Sequence, residues 1–215
     1  MNSINLIESD KINLLIDGLT EKGWATVDDF LPLEIANSLR KELNDEFEKG
    51  EFDKAGIGRR GVDWQLRPEI RSDYVKWLQP NQLTEFQQLY WTQIDNFKQA
   101  INQELYLSLN NFESHFAIYP PKSFYKKHLD HHQTAQRRFI SCILYFNQDW
   151  KKEDGGELRI YAQDDNEDNK NKAQTDILPI FNRFVCMRSE LIWHEVLPSE
   201  KRNRMSITGW LRREI

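Results

Sequence analysis

The apolar positions change rhythm partway along the chain. Up to about residue 105 they recur every three or four residues; beyond it they alternate with polar ones in short runs. Ile4, Ile7, Ile12, Leu15 and Ile16 predict a short amphipathic helix over 4–18. "GWATVDDFLP" reads as a strand stopped by Pro32. Residues 33–49 predict a second helix, with Ile35, Leu39 and Leu43 on one side and Gly50 after it. Residues 50–68 carry Gly and Arg without a clear period, which suits a mobile loop. "IRSDYVKWL", 70–78, reads as a strand, and a long helix is expected over 81–104, opened by Pro80 and Asn81.

From residue 106 the texture is that of short strands rich in aromatic and β-branched residues: "SHFAIYP", "RRFISCILYFN", "GGELRIYA", "RFVCMRS", "WHEVLP" and "RMSITGWL". Close-spaced short strands predict a sandwich or jelly roll. With helices first and strands later, the class is α+β. The polar run 162–176, "AQDDNEDNKNKAQTD", reads as a solvated loop between strands.

Composition narrows this picture. At 215 residues one domain is expected, and 39% hydrophobic residues, with seven Trp and twelve Phe, are enough for a core and too many for a disordered chain. A net charge of −5 gives no basic face for nucleic acid. The two cysteines, Cys142 and Cys186, form neither a disulfide framework nor a Cys-rich zinc site, and read as buried thiols. Glu8, Asp10 and Asp17 interrupt the N-terminus, so neither a signal peptide nor a membrane span is expected, and a cytoplasmic protein follows as the expectation.

Three of only five histidines fall within "HLDHH", 128–132. In an extended chain residues i and i+2 share a face, so His128 and Asp130 present an imidazole beside a carboxylate. His131 and His132 cannot both join them, and read as exposed. A distant His194, on another predicted strand, completes two imidazoles and one carboxylate, the facial set that leaves positions open on a non-haem Fe(II). A hydrogen-bonded polar turn is the competing reading of the same residues. Ten residues after His194, Arg204 opens a strand whose alternation puts Arg204, Ser206, Thr208 and Trp210 on one face. An inward Arg needs an anion, whereas one at a strand end can reach water. Phe139, Ser141, Ile143 and Tyr145 share a face of a second strand, from which Tyr145 can offer its hydroxyl to the same carboxylate.

The segments "FYKKHLD", "ISCILYFNQDW", "GGELRIY" and "HEVLPSEKRNRMSITGW" resemble the 2-oxoglutarate/Fe(II)-dependent prolyl hydroxylases, in particular the oxygen-sensing (HIF-type) prolyl 4-hydroxylase branch and its bacterial relatives. The matches run in order over residues 116–215, with a weaker one at "IRSDYVKWL". The resemblance implies a double-stranded β-helix (jelly-roll, cupin-like) over 106–215 on helical support from 1–105. It implies Fe(II), 2-oxoglutarate and O2, with ascorbate as a reductant, and hydroxylation of a prolyl residue in a protein or peptide with release of succinate and CO2. It makes His128, Asp130 and His194 the iron ligands. Arg204 would hold the cosubstrate's far carboxylate with Tyr145, near Tyr119, with Thr208 beside them. Arg138, Tyr125 and Trp210 would meet substrate, and Arg71 and Asp73 would form the base of a loop that closes over it. His194 to Arg204 is one residue longer than in the animal enzymes. Three other readings stand beside this one: a zinc hydrolase on the same triad, a non-catalytic jelly roll, and an oxygenase acting on another side chain, a free amino acid or a small metabolite.

Overall fold

A computed structural model of the chain describes residues 8–58, 63–130, 137–162 and 172–214. Three helices, α1 (Ser9–Glu21), α2 (Leu33–Glu48) and α3 (Glu85–Leu105), pack on one face of a large sheet. α1 runs beyond the expected end at 18, because Leu19 continues the buried stripe of Leu15 and Ile16. Residues 4–7 of that expectation lie outside the described residues. Gly18 lets the helix press onto the first strand, β1 (Trp24–Val27): a Cβ there would stand 2.6 Å from that of Ala25. β1 ends five residues short of Pro32. Asp29 turns the chain at φ 52°, and Asn182 then brackets Leu31, accepting from its N–H at 3.0 Å and donating to its carbonyl at 2.7 Å. α3 starts at a Thr84–Gln87 capping box rather than at Pro80–Asn81.

Seven strands form the large antiparallel sheet in the order β1-β9-β6-β11-β4-β3-β2. Their bounds are β2 (Asp53–Lys54), β3 (Tyr74–Trp77), β4 (Asn111–Tyr119), β6 (Arg137–Tyr145), β9 (Phe184–Arg188) and β11 (Arg204–Arg213). The small sheet runs β5 (Tyr125–His128), β10 (His194–Val196), β7 (Leu158–Tyr161) and β8 (Ala173–Ile177). Two facing antiparallel sheets with helices behind the larger one make the expected α+β double-stranded β-helix.

Two corrections concern segments expected to be loops. The second half of 162–176 is strand β8, polar because it is an edge strand whose Asp176 pairs with Arg159 of β7 at 2.8 Å; residues 163–171 lie outside the described residues. Within 50–68, β2 pairs with β3, and Ile57 and Gln65 exchange two 2.9 Å backbone bonds. The expected strand 70–78 contracts to Tyr74–Trp77.

Alternation along β11 divides the apolar material. Met205, Ile207 and Leu211 join the core beneath the helices, while Arg204, Ser206, Thr208 and Trp210 take the other face, towards the small sheet. On β6, Ile143 and Tyr145 pack in the inter-sheet core and Ser141 turns to the same side. Phe139 breaks the expected pattern: the register to β11 skips it between Ile140 and Arg138, and it packs towards the helical core with Arg213 over its ring.

Candidate metal centre

β5 and β10 pair antiparallel with His128 directly opposite His194, so the ladder itself brings two imidazoles together, their centroids 4.3 Å apart and their planes tilted by 56°. β5 ends at His128, and Asp130 sits on the bend beyond it rather than on a continuing strand. Asp130 still folds back between the rings, Oδ1 3.5 Å from His128 Nε2 and Oδ2 3.7 Å from His194 Nε2. One ligand atom from each residue lies within 4.8 Å of the others, and no fourth His, Cys or carboxylate joins this group among the described residues.

The hydrogen bonds decide which nitrogens are free. His128 Nδ1 lies 2.7 Å from the Lys126 carbonyl and His194 Nδ1 lies 2.9 Å from that of Ile192. A carbonyl only accepts, so each Nδ1 carries its proton and each Nε2 turns a lone pair inward. Burial, followed by the neighbouring His128, pushes His194 down to about 4 despite Asp130 beside it. Burial alone would raise the Asp130 carboxyl, but the His194 and His128 imidazoles outweigh it and hold Asp130 well below the usual range. Two imidazoles with Nε2 turned inward and one carboxylate between them fit a ferrous ion.

Arg204, at the mouth of β11, is 2% exposed. Its Nε donates to the Gly156 carbonyl at 2.7 Å and its Nη2 to the Tyr145 hydroxyl at 3.1 Å, with the Tyr119 and Tyr145 rings about its guanidinium. No carboxylate pairs with it among the described residues. A buried cation without an internal counter-ion is a receptor for a ligand's anionic end. Burial pushes the Tyr145 and Tyr119 hydroxyls up, Tyr119 strongly, so both keep their protons as donors. Thr208, half-buried, holds a place between His115 and Ile143 on the same face as Arg204.

The residues expected at the substrate side also converge. Tyr125 stacks on His128 at 3.5 Å, and the Arg71 guanidinium covers its other side at 4.3 Å. Arg71 grips Asp73 through two bonds, 2.8 and 2.6 Å. Arg138 stacks 3.5 Å over Trp210 and donates to Glu113 at 2.8 Å. His131 and His132 lie outside the described residues.

Four residues escaped the sequence reading as parts of the site. Gly156 has φ +73°, and a Cβ on it would meet the Arg204 side chain at 3.3 Å. Ser141 donates to Asp130 Oδ2 at 2.7 Å and touches Ser189 at 2.9 Å. His115 lies buried between Trp77 and Trp210, its Nδ1 without a partner. Only Ser141 left a usable signal, through its alternation with Tyr145.

A family model described as the 2OG-Fe(II) oxygenase superfamily matches residues 114–212. A solved Pseudomonas putida prolyl-4-hydroxylase is 37% identical, with 94% of this chain and 99% of that chain covered at a TM-score of 0.81. A Trichoplax adhaerens prolyl hydroxylase, solved with a hypoxia inducible factor oxygen degradation domain peptide, shares the fold at TM-score 0.80 and 22% identity, covering 94% of this chain and 89% of that one. The hypoxia-inducible factor prolyl hydroxylase of Caenorhabditis elegans is 28% identical over 209 residues, which is 91% of this chain and 27% of that protein; the chain thus spans about a quarter of that relative.

Proposed function

The chain belongs to the 2OG-Fe(II) oxygenase superfamily, among its prolyl hydroxylases, and from that membership we propose that it hydroxylates a prolyl residue of a protein or peptide. The observation that carries the reading is the pairing, within one inter-sheet space, of a three-donor group with a buried guanidinium that meets no carboxylate among the described residues.

In this reading His128, Asp130 and His194 hold ferrous iron and Arg204 takes the distal carboxylate of 2-oxoglutarate. When bound, the metal with O2 supplies the oxidation that turns 2-oxoglutarate into succinate and CO2 and the substrate C–H into C–OH. The protein's part is placement. Nδ1–carbonyl bonds hold both imidazoles with Nε2 inward, and Arg204 with Tyr145 sets the cosubstrate's direction before the reaction begins. The sheets' apolar walls, among them Ile143, Leu158 and Ile160, keep water from the reacting atoms. Arg138 on Trp210, and Tyr125 under Arg71, present aromatic rings braced by ion-paired guanidiniums, a surface suited to a peptide carrying proline.

Mass spectrometry of candidate proteins incubated with enzyme, Fe(II), 2-oxoglutarate and O2 tests the proposal. A gain of one oxygen atom on proline, absent when 2-oxoglutarate is withheld, is the expected result. The same gain confined to another residue type or to a small molecule would move the chain to a different substrate class.

A further inference from the structure

We infer that Ser189 and Ser141 form a directed hydroxyl relay that orients Asp130 for metal binding before any ion arrives. The inference rests on His128, Asp130 and His194 being the ligands.

The direction of the relay follows from proton counting. A carboxylate that ligates a metal has no proton to give and only accepts. Ser141 has a single hydroxyl proton and gives it to Asp130 Oδ2 at 2.7 Å. Its 2.9 Å contact with Ser189 is therefore a donation from Ser189 Oγ to Ser141 Oγ. Each hydroxyl in such a chain polarises the next, and both serines are sealed, Ser141 0% and Ser189 1% exposed. With Oδ2 engaged, Oδ1 is the oxygen left for the ion.

The relay also links two ligands. Ser189 follows β9 and its N–H bonds the Phe139 carbonyl at 2.9 Å, fixing the start of the turn that leads to His194. On that turn Leu191 and Ile192 both donate to the Arg188 carbonyl at 3.1 Å, and the Ile192 carbonyl is the one that holds His194 Nδ1. One short turn thus supplies the proton that begins the relay to Asp130 and the acceptor that orients His194. Ser141 and Ser189 are positioning residues: they act on the ion only through Asp130.

Co(II) replaces Fe(II) as the probe, titrated by its visible absorption without 2-oxoglutarate, so the readout does not depend on turnover. Ser141→Ala should weaken Co(II) binding about tenfold or more, and Ser141→Thr, which keeps the hydroxyl, should restore it. Ser189→Ala should weaken binding by a smaller factor in the wild-type background and by none in the Ser141→Ala background, because its effect passes through Ser141. Unchanged affinity in Ser141→Ala, or an equal loss from Ser189→Ala in both backgrounds, would overturn the relay. Should Ser141→Ala fail to fold by circular dichroism, Ser189→Ala and Ser141→Thr decide instead: weaker Co(II) binding in Ser189→Ala with near-wild-type binding in Ser141→Thr is expected, and no loss in Ser189→Ala, or a tenfold loss in Ser141→Thr, would overturn the relay. Asp130→Ala separates the two levels: wild-type Co(II) affinity there would remove the metal site itself, whereas loss there with full binding in Ser141→Ala would remove only the relay.

Discussion

Arg204 shows how one side chain takes its meaning from its surroundings. Sealed from water, its guanidinium keeps one donor on Gly156 and one on Tyr145 and meets no carboxylate among the described residues. Arg204→Ala should weaken 2-oxoglutarate binding by about 1.5–3 kcal/mol, the range for a lost charged hydrogen bond, as read by calorimetry on the metal-loaded protein. An unchanged affinity would mean that the anion binds elsewhere. His115 makes a separate prediction. Burial, with Arg71 and Arg138 nearby, holds its pKa well below the usual value. In the unfolded chain that imidazole titrates near 6.5, so below that pH the unfolded state takes up a proton the folded state refuses. Stability should therefore fall as pH drops below about 6.5, by up to ~1.4 kcal/mol per unit for this group. Denaturation of the metal-free protein at pH 7.5 and 5 should show a smaller loss in His115→Met than in wild type; equal losses would mean that His115 is not held neutral. Spacing and alternation singled out His128, Asp130, His194, Arg204 and Tyr145 as candidates, beside the reading of a polar turn, and the family resemblance supplied the roles proposed for them. His115 and Gly156 were not legible, since an orphaned nitrogen and a close approach arise only when distant strands meet.

At the scale of elements, the ladder between β5 and β10 does what neither strand could do alone: register places His128 opposite His194. The Arg71–Asp73 grip fixes the segment leading into β3 against Tyr125, and Asp73 is fully buried. Asp73→Asn should destabilise the fold by about 3–5 kcal/mol in urea denaturation, because it leaves a largely buried guanidinium short of its anion. A change within experimental error would place Arg71 in solvent. Element legibility followed the strength of the local signal. α2 is nearly as expected because its apolar stripe of Ile35, Leu39 and Leu43 and the Gly50 after it agree. α3 begins later than its Pro80–Asn81 signal because Thr84 and Gln87, a capping box present in the sequence, satisfy the first free N–H groups of the helix. β8 read as loop because an exposed edge strand is built from the polar residues that loops use.

For the whole molecule, two sheets backed by three helices place the chemistry between the sheets and the bulk of the apolar mass behind them. The change of hydrophobic period near residue 106 made this division readable. The order of the strands was not readable, since β9, β6 and β11 become neighbours only through connections that leave no local mark. An ion that binds the folded chain alone should stabilise it by about 2.7 kcal/mol at a hundredfold excess over its dissociation constant. A thermal melt should rise with Fe(II) or Co(II) and fall back on chelation, and a melt indifferent to both would argue against a site formed by folding. The most direct test of iron and 2-oxoglutarate meeting in this space is an anaerobic titration of the Fe(II)-loaded protein with 2-oxoglutarate, followed by the visible charge-transfer absorption of a 2-oxo acid chelated to ferrous iron. Wild type should develop the band to saturation, Arg204→Ala should require more 2-oxoglutarate, and His128→Ala should show none; a band of full strength in His128→Ala and Asp130→Ala alike would contradict the assignment of the triad.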